Sequence, residues 1–341
     1  FMMIVNNGFY VKREFFNLYV SYCWSNLFLE KSILYEKVKE TDFMQSVVVI
    51  MSTYNGSKHV VKQLDSIFAQ KGVDVSVFVR DDGSKDNTIA ILEEYAKTHT
   101  VIIFKGENVG WERSFLLALE KASEADYYAF SDQDDIWFEN KLLSAIKALE
   151  QCRQELVMYH CNKISVDEGL TPLPHQIKRI ARPLNRENAI IQEYAQGCSI
   201  VINNKTKRFI VERIPSQKIA HDYWIGLLCY LFGKVIYNDG KFFYHISHGT
   251  NASSEGHLLK SWKERLYRFK SKQPIYYFPC DDLLRLCNDR LSNQDKEFIY
   301  RLKNYKISFK DKMSLMFSRS FVRTSILGTI SLKLSILLNR L

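Results

Sequence analysis

From Val47 onward, short runs of consecutive apolar residues alternate with segments whose apolar residues stand three or four apart, and this rhythm restricts the fold more than any other feature. Residues 47–51 are all Val, Ile or Met, which fits a strand buried on both faces. Val60, Val61, Leu64, Ile67 and Phe68 then recur at helical spacing. Residues 75–79 read as a second strand, and Asp86 is placed to cap a helix carrying Ile89, Leu92 and Tyr95 on one face. Residues 101–104 give a third strand, Phe115, Leu116 and Leu119 a third helix, and residues 127–130 a fourth strand. Leu142, Leu143, Ile146 and Leu149 mark the next helix. Strands and helices in this order connect by right-handed crossovers, so the expected class is α/β with a mostly parallel central sheet flanked by helices.

The second half is less regular. Residues 156–159, 198–202, 234–237 and 242–245 are strand candidates, and Pro172, Pro174 and Pro183 make 171–190 a loop with short pieces. The expected organisation is an extension over 1–43, a domain over 44–256 and a basic helical region over 257–341. Within the extension, Phe15, Phe16, Tyr19, Tyr22, Leu27 and Phe28 could form one apolar helical face.

At 46% hydrophobic and 25% charged residues, the chain has material for a sizeable core, which excludes disordered and fibrous classes. Its seven cysteines include no pair separated by two residues, so neither a zinc site nor a disulfide framework is expected, and reduced thiols suit the cytoplasm. The net charge of +9 is concentrated: residues 257–341 hold 18 Lys and Arg against 7 Asp and Glu. Such a segment suits an anionic partner. Lys260, Lys263, Arg265, Arg268, Lys270 and Lys272 lie among Trp262, Leu266, Tyr267 and Phe269, and Lys306, Lys310 and Lys312 precede Met313, Leu315, Met316 and Phe317. This mixture reads either as an interfacial helix on an anionic leaflet or as a helical subdomain with a solvated basic face. The run 324–338 is broken by Lys333 and falls short of the roughly 20 apolar residues that span a bilayer. No signal peptide is read at the N-terminus. A place in the cytoplasm, peripheral to the inner face of the plasma membrane, is therefore expected.

Chemistry concentrates after three strands, where an open parallel sheet binds its ligands. The segments are Ser52-Thr53-Tyr54-Asn55-Gly56, Arg80-Asp81-Asp82-Gly83-Ser84-Lys85-Asp86 and Ser131-Asp132-Gln133-Asp134-Asp135. Asp132, Asp134 and Asp135 would repel one another unless a hard divalent cation, Mg2+ or Mn2+, relieved them. The alternative is a helix N-terminus decorated with acids. Asp81-Asp82-Gly83 reads as a polar turn or as acceptors for a base or ribose. There is neither a dinucleotide fingerprint nor a P-loop. In His221-Asp222-Tyr223-Trp224, Asp222 is either a partly buried general base or a helix cap. His248 and Asn251 could contact phosphate or metal, or shape a turn. Nucleic-acid binding would suit the basic charge but not the acidic cluster.

Taken together these segments, with Asn108-Val109-Gly110 and the continuation Ile136-Trp137, resemble glycosyltransferase family 2, whose fold is termed GT-A; the resemblance covers about residues 46–256. Within that family, Ser131 to Trp137, Gly197-Cys198, His221 to Trp224 and His248 with Asn251 are most similar to bacterial rhamnosyltransferases of cell-wall and surface polysaccharides. The resemblance implies that Thr53, Tyr54 and Asp82 hold the nucleotide, that Asp132 lies near ribose and metal, that Asp134 binds the metal, and that Asp222 is the catalytic base. Asn55 and Arg80 fall in the same nucleotide-binding segments, His248 is a further metal candidate, and Asp135, Trp137, His221 and Asn251 are additional site candidates. Two positions depart from the pattern: Arg80 stands where the family is usually apolar, and Tyr244-His245 where similar rhamnosyltransferases often have Tyr-Arg. The implied activity is inverting transfer of a sugar, L-rhamnose from dTDP-L-rhamnose, to a saccharide or lipid-linked saccharide. Alternatives are a UDP-galactose, UDP-glucose or UDP-N-acetylglucosamine donor, or a non-catalytic nucleotide-sugar-binding protein.

Overall fold

The structure, a computed structural model, describes residues 2–5, 9–12, 44–174, 176, 180–248 and 278–341. Two compact units are present, Phe1–Gln45 and Ser46–Leu341. In the first, β1 (Met2–Val5) and β2 (Phe9–Lys12) pair antiparallel, with Met2 opposite Lys12 and Val5 opposite Phe9. The apolar face from Phe15 to Phe28, Asn251 and the basic stretch from Lys260 to Lys272 lie outside the described residues.

The second unit begins with the expected alternation. β3 (Ser46–Thr53), α1 (Val60–Phe68), β4 (Asp74–Asp81), α2 (Thr88–Tyr95), β5 (Val101–Lys105), α3 (Trp111–Lys121) and β6 (Tyr127–Ser131) follow in order. β5, β4, β3 and β6 lie side by side, all parallel. Side chains of β3 divide by parity. Val48 and Ile50 enter a core on one face with Phe115, Leu116 and Leu119 of α3, whereas Val47, Val49 and Met51 enter the other with Val60, Leu64 and Ile67 of α1. A strand in the middle of a helix–sheet–helix sandwich must be apolar at every position, which is why this run does not alternate.

Beyond β6 the sheet becomes mixed. β7 (Asp135–Trp137), α4 (Lys141–Glu150), β8 (Val157–Val166), α5 (Arg186–Ile191), a 3-10 turn at Gly197–Ser199, β9 (Val201–Asn203), α6 (Asn204–Val211), α7 (His221–Phe232) and β10 (Lys234–Ile246) complete the sandwich. The sheet order is β5-β4-β3-β6-β9-β8-β10-β7. β9 runs antiparallel to β6 and β8, β10 runs parallel to β8, and β7 returns antiparallel to β10 with Asp135 opposite His245. Residues 198–202 are thus not one strand, because Ser199 and Ile200 donate to the carbonyls of Gln196 and Gly197 at 2.9 Å and close a tight turn. Conversely, the candidates at 234–237 and 242–245 are a single strand with two register shifts between Asn238 and Tyr244. Bulges of this kind re-aim a strand while it stays paired.

Four helices, α8 (Cys280–Cys287), α9 (Asn293–Asn304), α10 (Phe309–Phe317) and α11 (Ile326–Leu337), pack into the same core as α3 and α7. Polar clamps fix them there. Arg186 donates to both carboxylate oxygens of Asp295 at 2.8 and 2.7 Å, and Asp282 accepts from Ser216 and Gln217 in the loop before α7. Asp295 also completes a capping box with Ser292. Among the described residues no helix is long and apolar enough to cross a membrane.

Candidate active site

Strand register sets the site. Thr53 ends β3 opposite Asp81 of β4, and Met51 lies opposite Ser131, the end of β6, so the three polar loops leave from one edge. Hydrogen bonds tie the loops together. Tyr54 N–H donates to Gln133 Oε1 at 3.0 Å, Asn55 N–H to Ser84 Oγ at 2.9 Å, and Lys85 N–H to Asn55 Oδ1 at 2.8 Å. Asn55 adopts a φ of 48°, a left-handed conformation that asparagine tolerates better than most residues. Asp86 lies one residue ahead of the cap position, Asn87, and binds the N–H groups of Thr88 and Ser57 at 3.0 and 3.1 Å, joining α2 to the first loop.

Several expected binding residues act inward. Thr53 is buried, and its hydroxyl donates to Asp81 at 2.9 Å. Asp82 is buried, forms an ion pair with Arg80, and accepts from Val109 and Gly110 N–H at 3.0 and 2.9 Å. Arg80 continues to Ser114 Oγ at 3.1 Å and the Glu107 carbonyl at 2.9 Å. Arg80 and Asp82 thus lace the second loop to residues 107–110 and the start of α3. Gly110 is required there: its φ of 87° opens the helix while its N–H reaches Asp82. Tyr54 is different, with 47% of its surface exposed at the loop tip. Trp137 is buried under the Lys141 ammonium, 3.4 Å from its ring centroid, and serves packing.

The acidic loop splits its carboxylates. Asp135 turns into the core as the first residue of β7 and meets His245 Nδ1 at 2.8 Å. Burial works against charge on His245, but the Asp135 carboxylate outweighs it and raises the imidazole pKa. Asp132 and Asp134 stay partly exposed. Loss of solvent, then the charges of Asp135 and Asp134, push the Asp132 carboxyl up to about 7, and Asp222 and His245 are close enough to act on it as well. Asp134 is raised by burial and by Asp135, against the opposing pull of His248. His248 Nε2 lies 2.6 Å from Asp134 Oδ2, and its ring stacks on His59 with centroids 4.8 Å apart. A cleft runs past Asp134, Lys58, His59, Lys62 and Glu168. Sequence reasoning missed these last four; the signal available was two lysines and a histidine within one turn of the first loop.

α7 brings the remaining candidates. Asp222 is 8% exposed, and its oxygens accept from Gly197 N–H at 3.1 Å and Tyr223 N–H at 2.8 Å. His221 is buried against Phe115, ring centroids 4.0 Å apart, and neither ring nitrogen has a hydrogen-bond partner among the described residues. Burial lowers its pKa to about 4 despite Asp222, so the ring is neutral at physiological pH. Gly197 leaves no room for a side chain, because an added Cβ would lie 2.8 Å from His221 Cε1 and nearer still to Nε2.

Asp134 and His248 meet at 2.6 Å, and Asp132 is near enough for the charge of Asp134 to act on it, so negative charge and oxygen donors are crowded at this loop, an environment of the kind a hard divalent cation relieves. Among the described residues, the set of three donors whose atoms lie within 4.8 Å of one another is Asp135, Cys198 and His245, but burial holds the Cys198 thiol protonated, and sulfur suits a softer ion.

Residues 48–213 match the model of Glycosyl transferase family 2. The dTDP-rhamnosyl transferase RfbG of Shigella flexneri is 32% identical over 192 residues, 51% of this chain and 63% of its own length. A glycosyltransferase of Nostoc is 26% identical over 219 residues, covering 60% of this chain and 66% of that protein. The chain thus spans about three fifths of the curated relatives it matches. The crystal structure of S. aureus TarS residues 1–349 with UDP-GlcNAc superposes with a TM-score of 0.52 at 18% identity, over 82% of this chain and 78% of that one, a likeness of fold. Sheet order, loop placement and family match agree, and the segment over 48–213 is a glycosyltransferase family 2 domain on a GT-A fold.

Proposed function

We propose that the chain is an inverting, metal-dependent glycosyltransferase that moves L-rhamnose from dTDP-L-rhamnose to a hydroxyl of a saccharide or lipid-linked saccharide acceptor in surface polysaccharide synthesis. The observation that carries this reading is electrostatic: the charges of Asp134 and of Asp222, from segments some 90 residues apart, both act on the Asp132 carboxyl. The rhamnose donor is taken from the similarity to RfbG.

In this reading Asp222 takes the proton of the acceptor hydroxyl as that oxygen bonds to the anomeric carbon. The bond from that carbon to the diphosphate breaks on the opposite side, so one displacement inverts the configuration. General-base assistance of this kind contributes on the order of 10²–10⁴-fold. Gly197 and Tyr223 N–H groups fix the carboxylate beforehand. Tyr54 offers an exposed ring to the base, while Thr53, Asn55, Arg80 and Asp82 hold the loop frame around it. Asp134, Asp132 and His248 would hold the divalent ion. When bound, that ion neutralises charge on the departing nucleoside diphosphate.

The test is a panel of dTDP-L-rhamnose, UDP-galactose, UDP-glucose and UDP-N-acetylglucosamine with Mn2+, read by thermal stabilisation and by sugar release. A ligand at about 100 times its Kd stabilises the native state by about 2.7 kcal/mol. Stabilisation and release by dTDP-L-rhamnose support the proposal. A response to one UDP-sugar alone replaces the donor, and silence across the panel refutes the function.

A further inference from the structure

The last helix is apolar on both faces. Gly328, Leu332, Ser335 and Ile336 of α11 are buried in the core. Ile326, Leu327, Ile330, Leu334, Leu337 and Leu338 are exposed, Ile326 by 81% and Leu327 by 64%. At about 100° per residue these six fall in one stripe roughly 120° wide, opposite the buried set. Neighbouring α10 adds Phe309 and Phe317, exposed by 76% and 79%. Large apolar side chains standing together in water mark an interaction surface.

Charge around the stripe identifies the occupant. The one charged residue within α11, Lys333, turns away and donates to the carbonyls of Leu315 at 2.6 Å and Ser318 at 3.0 Å, so the outer stripe is uncharged. Residues 306–341 contain seven Lys or Arg against one Asp. Lys310 and Arg319 are exposed and have no acidic partner among the described residues. A second copy of the chain would bring two such basic rims together, which opposes dimerisation through this face. A bilayer with anionic headgroups supplies both an apolar phase for the stripe and counter-charge for the rim. With 12 residues, α11 is about 18 Å long, too short to span the ~30 Å hydrocarbon layer, so it lies in the interface.

We infer that the α10–α11 face docks the protein on an anionic membrane surface, with the exposed stripe of α11 entering the headgroup–acyl boundary. This deepens the proposed function by naming a partner surface, yet it is tested without any sugar donor. Flotation of the full chain with vesicles of phosphatidylcholine, with and without 30% phosphatidylglycerol, reads it directly. We expect binding to the anionic vesicles that weakens as salt is raised. Ile330→Glu with Leu334→Glu should weaken it at least tenfold, and Lys310→Glu with Arg319→Glu severalfold. All four residues are exposed, so thermal melting should be unchanged, and melting of each variant establishes that the fold is kept. Absence of binding, binding untouched by I330E/L334E, or concentration-dependent self-association abolished by that same pair would overturn the inference. Donor stabilisation in the panel above is read separately, so either result can fail alone.

Discussion

Replacing Gly197 by Ala adds one methyl group where there is no space for it. The new Cβ would sit 2.8 Å from His221 Cε1 and closer to Nε2. The ring cannot simply swing aside, since it is 2% exposed, stacked on Phe115 and 5.4 Å from the Phe130 centroid. Either the imidazole moves, taking the first turn of α7 with it, or the Gly197 backbone retreats from Asp222. Both routes disturb the 3.1 Å bond from Gly197 N–H to the Asp222 carboxylate. Overpacking of this kind costs about 1–3 kcal/mol of stability. A displacement near 1 Å of a reacting group costs on the order of 10²-fold in rate. We therefore expect Gly197→Ala to lose about 100-fold in kcat, with donor KM within about threefold and melting lowered by a few degrees. Steady-state transfer kinetics and calorimetry measure the three quantities. His221→Ala removes the ring the methyl would strike, so in a double-mutant cycle Gly197→Ala should cost less stability in the His221→Ala background than in the parent. Unchanged kcat in Gly197→Ala, or a stability cost of Gly197→Ala that is the same with and without the His221 ring, would refute the packing argument.

Three further outcomes follow from other parts of the site. Arg80→Met removes one partner of a buried ion pair and should destabilise the protein by about 3–5 kcal/mol, read by denaturant unfolding. The Asp132 carboxyl, pushed up to about 7, binds its proton more tightly in the folded chain than in the unfolded one. Its stabilising contribution to the metal-free protein is thus full below about pH 4 and is lost as pH rises through 7. Manganese must displace that proton, so metal affinity should climb up to about tenfold per unit between pH 6 and 7 and level off above it; calorimetric titration showing a flat profile would count against this. Asp134→Ala should abolish metal-dependent stabilisation by the donor at any pH.

The strands 47–51, 75–79, 101–104 and 127–130 were legible because burial on both faces leaves unbroken apolar runs, and the structure places them in β3, β4, β5 and β6. Strand direction beyond β6 was not, because hydrophobicity carries no sign of orientation. β7 escaped notice for another reason. It is three residues long and opens with an acid, and its support comes from β10, more than 100 residues away. The loops with chemistry were found through their position after apolar strands. Their division of labour was hidden, since Asp82 reads as a free acceptor until Arg80 is seen beside it. Gly197 gave no local signal at all; its importance depends on His221, which approaches from α7.

The central claim is that Asp222 removes the acceptor proton at a cleft shared with Asp132 and Asp134. Asp222→Asn keeps the shape and one acceptor oxygen while discarding the base. The decisive measurement is single-turnover transfer by this variant, with donor affinity measured in parallel. Donor binding should stay within about threefold of the parent and transfer should slow by roughly 10²–10⁴-fold. Transfer at the parent rate with unaltered donor affinity would contradict it.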